Sequence, residues 1–188
     1  ATVIQYPMSN TSWAAPKPAD EGYQIAYSVD ADGNSIYTAD MTDEQKYEAA
    51  LQASISFFKA AGYTFDEATG KFTAAPEGAE MTYEVIIPGG GTGDHPAFGI
   101  LTAAKEALAT IGITLQINDP SDSSVWNNAL EANTAEMWAG AWGATVDPDM
   151  YQVYHSDNSN GKGTNSNHYS IEDANLDEMI IAARNSAD

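Results

Sequence analysis

From Glu80 onward the chain alternates apolar β-runs with helical stretches, and this alternation limits the possible folds more than any other feature. The order is "EMTYEVIIP", a helix over Pro96 to Ile111, "ITLQIND", a shorter helix, and "EMWAGAW". Ala97, Leu101, Ala104, Leu108 and Ile111 share one face of the first helix. In the second, Val125, Ala129 and Ala132 lie on one side, with Trp126 and Leu130 beside them. A helix that joins two strands returns the chain to the starting end of the sheet. The strands then run parallel, through right-handed crossovers. The pattern predicts an α/β unit in which the Glu80–Ile87 strand is central, with strands at Ile113–Asn118 and Glu136–Trp142 on either side. A last helix is predicted from Ile171, carrying Leu176, Met179, Ile180 and Ala183, after an irregular stretch "DNSNGKGTNSNH".

The chain before Glu80 is less regular. Its first forty residues are rich in Pro, Gly and Asp, with short β-like runs around "DADGNS". That stretch is not an EF-hand loop, because Gly33 comes fourth rather than sixth and no late Glu follows. A helix is expected from about Asp43 to Ala61. Thr42 and Gln45 form a capping box at its start, Gly62 ends it, and Tyr47, Leu51, Ile55, Phe58 and Ala61 make its stripe. "FDEATGKFT" reads as a small hairpin turning at Thr69-Gly70. The expected organisation is a single domain over 1–188. Residues 1–79 form the extension, long helix and hairpin, and 80–188 form the βαβαβ core and closing helix.

The 188 residues include 27 acidic and 7 basic ones, a formal charge of −20. Such a surface repels phosphate backbones and anionic lipid, so no nucleic-acid partner is expected and no membrane-surface contact of the chain itself. Arg184 is the only arginine. With no cysteine, disulfides, thiolate metal sites and cysteine nucleophiles are excluded. No apolar run approaches the ~20 residues of a membrane helix. No signal peptide is visible at the start, and the chain is expected to be a piece of something longer.

Ligands of open parallel sheets sit beyond the carboxyl ends of the strands. Two loops qualify, "PGGGTGDHP" and "GATVDPD". The glycine spacing of the first, at 89, 90, 91 and 93, matches neither the dinucleotide nor the Walker fingerprint, and no lysine follows. Its expected role is structural, with Asp94 or His95 capping the next helix and Pro96 in the first turn. The histidines at 95, 155 and 168 lack metal-ligand spacing, so no metal or cofactor is expected. No Gly-x-Ser-x-Gly elbow exposes a nucleophile, and no carboxylate pair is marked out, so no catalytic residue is assigned. An acidic carbohydrate-active hydrolase domain is the alternative from another class, and a purely structural interaction module is a third.

The second loop is more informative. Gly140, Ala141, Gly143 and Ala144 around Trp142 strip the strand end of bulky side chains, leaving backbone amides and carbonyls open to another extended chain. Asp147 before Pro148 reads first as an N-cap followed by proline at the first helical position.

From about Thr42 to Arg184 these segments resemble, in order, the C-terminal lobe of the family 5 extracellular solute-binding proteins. The segments are "FFKAAGYTFDEATGKF", "MTYEVIIPGGGTGDHPAFGILTAAKEALATIGITLQIND", "SSVWNNALEANTAEMWAGAWGATVDPDMYQVYHS" and "NHYSIEDANLDEMIIAAR". The resemblance implies a parallel-sheet lobe of a type II periplasmic-binding-protein fold with an irregular N-terminal extension. It implies a non-enzymatic protein that binds a small solute, a peptide or related molecule, and delivers it to the membrane subunits of an ABC importer. It also implies an extracellular, cell-surface lipoprotein or periplasmic location, with a lipid anchor outside this segment. Carried over by position, it implicates Ala141, Trp142, Gly143 and Thr145 in lining the ligand. Thr145 stands where peptide binders of the family commonly have the aspartate that pairs the ligand's ammonium. Either Asp147 takes that role or the ligand lacks a free amine, and His95 is the cationic candidate for a ligand carboxylate.

Overall fold

The computed structural model describes residues 4–143, 145 and 148–186. Residues 4–41 contain no helix or strand, only an antiparallel bridge between Val29 and Ser35. Asp30 folds that turn, its carboxylate accepting the amides of Asp32 and Asn34 at 3.0 and 2.8 Å. The ordered elements are α1 (Asp43–Ala60), β1 (Thr64–Asp66), β2 (Lys71–Ala74), β3 (Thr82–Ile86), α2 (Pro96–Thr110), β4 (Thr114–Asn118), α3 (Ser123–Glu131), β5 (Met137–Trp138), α4 (Tyr151–Tyr154) and α5 (Ala174–Arg184). β1 and β2 form an antiparallel hairpin, and the second sheet has the order β4-β3-β5. β5 pairs parallel to β3, with Val85 opposite Met137 and Ile86 opposite Trp138. On the other side, Thr114 N–H donates to the Met81 carbonyl and Ile87 N–H to the Asn118 carbonyl, a register that advances in one direction along both strands. The expected sheet, with the Glu80–Ile87 run in the middle, is the observed one.

The chain divides into two compact units. The first comprises 1–7, 16–84 and 96–117. Its α1 opens on the expected capping box, with Gln45 N–H donating to Thr42 Oγ1 at 3.2 Å and Thr42 N–H to Gln45 Oε1 at 2.8 Å. Leu51, Ile55 and Phe58 of the expected stripe pack inward, while Tyr47 and Ala61 at its ends are exposed. The core they join holds Tyr63, Phe72, Ile111 and Ile113, all nearly inaccessible. Phe58 meets Tyr63 edge-on at 5.0 Å, and Phe65 meets Phe72 at 4.9 Å. Burial of a Phe of this kind stabilises the fold by about 2–3 kcal/mol. The Tyr63 hydroxyl donates to the Glu80 carbonyl at 3.1 Å and is hydrogen-bonded to the Tyr83 hydroxyl. Burial, then that Tyr83 bond, push its pKa up to about 12. Gly112, at φ +85°, lets the backbone pass Phe72, whose carbonyl oxygen would lie 2.7 Å from any Cβ there.

The second unit comprises 8–15, 85–95 and 118–188. Val85, Ile86 and Ile87 are buried at the end of β3, and Leu130 of α3 is buried with them. The buried side of α3 is Trp126, Ala129 and Leu130 rather than the expected Val125-Ala129-Ala132 line; Val125 and Ala132 are exposed. Trp126 is fixed by its indole N–H, which donates to the Ala139 carbonyl at 3.0 Å. α5 starts at Ala174, not Ile171, because Asp173 caps it by accepting the amides of Asn175 and Leu176.

The stretch read from sequence as irregular is the most densely hydrogen-bonded part of this unit. Asn167, fully buried, donates through Nδ2 to the carbonyls of Tyr154, His155 and Ile171, and its Oδ1 accepts the Ile171 amide. Asn158, also buried, donates to the Tyr151 carbonyl and accepts the amide and hydroxyl of Thr164. Each amide side chain satisfies backbone groups that no helix or strand pairs, which is what a buried loop requires.

Candidate functional site

The two loops singled out from sequence both lie in the second unit. In the glycine-rich loop, an acid from the chain itself occupies the turn. Asp119, one residue past β4, places its carboxylate among the loop amides. Gly93 N–H donates to Oδ2 at 3.1 Å, while Oδ1 is buried without a well-aligned partner. The Gly91 amide, then those of Gly93 and Gly89, with the nearby His95, hold the Asp119 pKa below the usual carboxylate range against the opposing effect of burial. A row of backbone N–H groups in a turn is an anion nest, and here the anion is internal. Gly89 permits the approach, since a Cβ there would lie 2.5 Å from Asp119 Oδ1 and 2.8 Å from Oδ2. Gly90 and Gly91 take φ of +72° and +75°, which side chains other than glycine's resist. The loop therefore offers no vacant cradle for a phosphate. Pro96 begins α2 as expected, and the Thr92 hydroxyl donates to Asp94 Oδ1 at 2.6 Å. His95 is half-buried and close enough to Asp119 for its charge to act on that carboxylate.

The small-residue corridor lies beyond β5 rather than in it. Pairing to β3 stops at Trp138, and the Ala139 amide makes the last bond, to the Ile86 carbonyl at 3.0 Å. The expected strand to Trp142 is thus shorter by four residues. Two glycines in four positions, 140 and 143, explain why the ladder is not continued. Ala141, Trp142, Gly143 and Thr145 are all exposed, Trp142 to 54%. A Cβ built at Gly143 meets nothing within 4 Å, whereas one at Gly140 would come within 3.2 Å of Trp126. Gly140 is small for packing, and Gly143 is small without any packing demand.

Asp147 lies outside the described residues. The short helix expected from Pro148 begins instead at Tyr151, and residues 148–150 are not helical. Asp149 serves its start, its Oδ1 accepting the Tyr151 amide at 3.0 Å. An N-cap at residue 147 would therefore have no helix directly after it. Asp149 is also tied to α5, with Arg184 Nε 3.3 Å from its Oδ2 and the guanidinium 4.4 Å above the Tyr151 ring. That pairing engages the single arginine inside the protein.

Sequence reasoning missed the aromatic ladder beside the end of β5. Trp138 packs on Tyr169 at 5.2 Å, and Tyr169 stacks on Tyr154 at 5.6 Å with an interplanar angle of 10°. Tyr169 is 44% exposed, so an apolar face remains open to solvent. The Asp119 contact was missed as well. Its signal was an acid at the end of one parallel strand facing a run of glycines after the neighbouring one. No group of three or more His, Asp or Glu able to hold a metal occurs among the described residues. The histidine best placed among carboxylates, His155, accepts the Asp157 amide through Nδ1 at 3.1 Å.

No protein-family model matches the sequence, and no curated protein matches it. Solved structures do. NikZ from Campylobacter jejuni, determined in complex with Ni(L-His), matches 76% of this chain with a TM-score of 0.53 and 16% identity. The oligopeptide-binding protein AppA from Bacillus subtilis, determined with a nonapeptide, matches 88% with a TM-score of 0.56 and 16% identity. The chain spans 26% and 31% of those two proteins, less than a third of either. At this identity the likeness is one of fold, that of a mixed α/β chain with a parallel three-stranded sheet. The chain carries the type II periplasmic-binding-protein fold, in an extent that fits part of one lobe.

Proposed function

We propose that the chain is the ligand-binding part of an extracellular solute-binding protein that delivers a small solute, a peptide or a related molecule, to the membrane subunits of an ABC importer. The observation that carries this reading is the corridor. Ala141, Trp142 and Gly143 form an exposed backbone strip just past the end of β5 and outside its ladder, with an indole left half in solvent. Polar backbone beside a bare aromatic is suited to an extended ligand, which can add main-chain hydrogen bonds and rest apolar groups on the ring. The likeness to NikZ and AppA supports the same reading through the fold. In this proposal Thr145 contributes a neutral hydroxyl. Asp147, a candidate on sequence alone, supplies the negative charge for a ligand ammonium. His95 contributes less than its position suggests, because Asp119 already faces it.

The protein acts by binding and release and is not an enzyme, and it works outside the cytoplasm, held by a lipid anchor that lies beyond this segment. A thermal-shift screen of the full-length protein against short peptides, sugars and metal–amino-acid complexes tests the proposal. Stabilisation by peptides that is lost on Asp147→Asn supports it. Stabilisation by oligosaccharides alone, accompanied by their cleavage, would replace it with a carbohydrate-active domain.

A further inference from the structure

The corridor begins where β5 leaves β3, and the sequence of β3 fixes that point. Hydrogen bonds of a parallel ladder are evenly spaced along the pair. Ile86 stands opposite Trp138, and the Ala139 amide donates to the Ile86 carbonyl at 3.0 Å. The next bond of that register would run from the amide of residue 88 to the Ala139 carbonyl. Residue 88 is a proline and has no N–H to give. The ladder ends one donor short, at a half-buried residue whose carbonyl still needs a partner.

α3 supplies that partner. The Trp126 indole N–H donates to the Ala139 carbonyl at 3.0 Å. The same ring lies against the next residue, where a Cβ built on Gly140 would come within 3.2 Å of Trp126 Cζ2. Trp126 thus holds the Ala139–Gly140 peptide group by a hydrogen bond at one end and by contact at the other. Its own place is set by α3, which Asp122 caps by accepting the Ser124 amide at 2.9 Å and which the buried Leu130 anchors. We propose that Trp126 is the positioning residue of the ligand strip. By taking the carbonyl that Pro88 leaves without a ladder donor, it sets the direction in which Ala141 to Gly143 leave the sheet. A planar peptide group at the foot of the strip aims the N–H and C=O groups that follow it, and so the register in which they meet an extended ligand. Trp126 acts through the backbone alone, as the support behind the contact surface. The inference rests on the reading of that strip as the ligand wall.

The test uses the full-length protein, with tetra-alanine as the probe because it can bind through main-chain groups alone. Trp126→Phe keeps a ring beside Gly140 and removes the N–H. Calorimetric affinity should fall about fivefold, the worth of one neutral hydrogen bond. Without peptide, the residual dipolar coupling of the Gly140 amide, which shares a plane with the Ala139 carbonyl, should change in 15N-glycine-labelled protein. Those of Gly161 and Gly163, in the same unit, should keep their values. Gly140→Ala should weaken tetra-alanine about threefold by crowding Cζ2, and much less in the Trp126→Phe background, where that atom is gone. A Trp126→Phe protein that loses urea stability but binds tetra-alanine like the wild type would make the tryptophan a packing residue only and overturn the proposal. So would an unchanged Gly140 coupling, or an equal effect of Gly140→Ala in the two backgrounds. If the wild type binds no peptide, the ligand reading of the strip fails by itself, and the Gly140 coupling still decides whether Trp126 holds the strip.

Discussion

The contact between Gly89 and Asp119 can be tested quantitatively with Gly89→Ala. Gly89 does not have a positive φ, so an added methyl group meets no backbone penalty and acts only through what it touches. It would sit 2.5 Å from Asp119 Oδ1 and 2.9 Å from Cγ, about 1 Å inside ordinary contact. A short aspartate can escape only by rotating away, which breaks the 3.1 Å bond from the Gly93 amide. Overpacking costs about 1–3 kcal/mol and a hydrogen bond to a charged group contributes about 1.5–3 kcal/mol. Because the side chain is partly solvated and water can replace part of the bond, the expected loss is about 2 kcal/mol. Gly90→Ala, which meets open space but has φ +72°, should cost about 1 kcal/mol from backbone strain alone. Urea midpoints of the chain would measure both. The decisive arm is the cycle with Asp119→Ala. Removing the carboxylate removes the clash, so Gly89→Ala should cost less than about 0.5 kcal/mol in that background, a coupling of about 1.5 kcal/mol. Equal cost in the two backgrounds would refute the internal-anion account of the loop.

Asn167→Asp should destabilise the second unit by at least about 3 kcal/mol, since a buried carboxylate would face three carbonyls that now accept from Nδ2; a urea midpoint matching the wild type would contradict this. Glu172 accepts from the Ser159 hydroxyl first, then from Lys162 and Asn160, and its pKa is lowered from 4.5 to about 2. A carboxylate lowered on folding contributes stability that is fully present above about pH 4.5 and is lost as pH falls toward 2, so amide exchange over residues 158–172 should accelerate in that window, and Glu172→Gln should flatten the change. The chain alone should bind peptides at least tenfold more weakly than the full-length protein, because an open wall buries less of a ligand than a closed cleft; equal calorimetric affinities would show that the rest of the protein adds nothing to the site.

The parts of the fold that follow local rules were legible. The Thr42–Gln45 capping box, the turn at Gly70 and the strand–helix alternation after Glu80 depend on neighbours in sequence, and the structure has them where the pattern put them. The end of β5 was not legible, because "EMWAGAW" keeps its apolar character past the point where pairing to Ile86 stops. Nor was the order in "DNSNGKGTNSNH", since Asn167 and Asn158 hold it through side-chain bonds to carbonyls up to thirteen residues away, and composition alone reads as loop. At the candidate site, the exposure of Ala141 to Gly143 was expected from small residues without a packing role. The occupancy of the glycine loop by Asp119 required knowing which strands are neighbours.

The corridor is tested most directly by calorimetry on the full-length protein, using the peptide that gives the largest thermal shift, with wild type and Gly143→Val compared. A valine there would project into space that is open in the structure, so folding should change by less than about 0.5 kcal/mol. Its methyl groups would stand in the path of an extended ligand, and affinity should fall at least tenfold, a loss of about 1.4 kcal/mol. An unchanged dissociation constant in a folded Gly143→Val protein would remove residues 141–145 from the binding site.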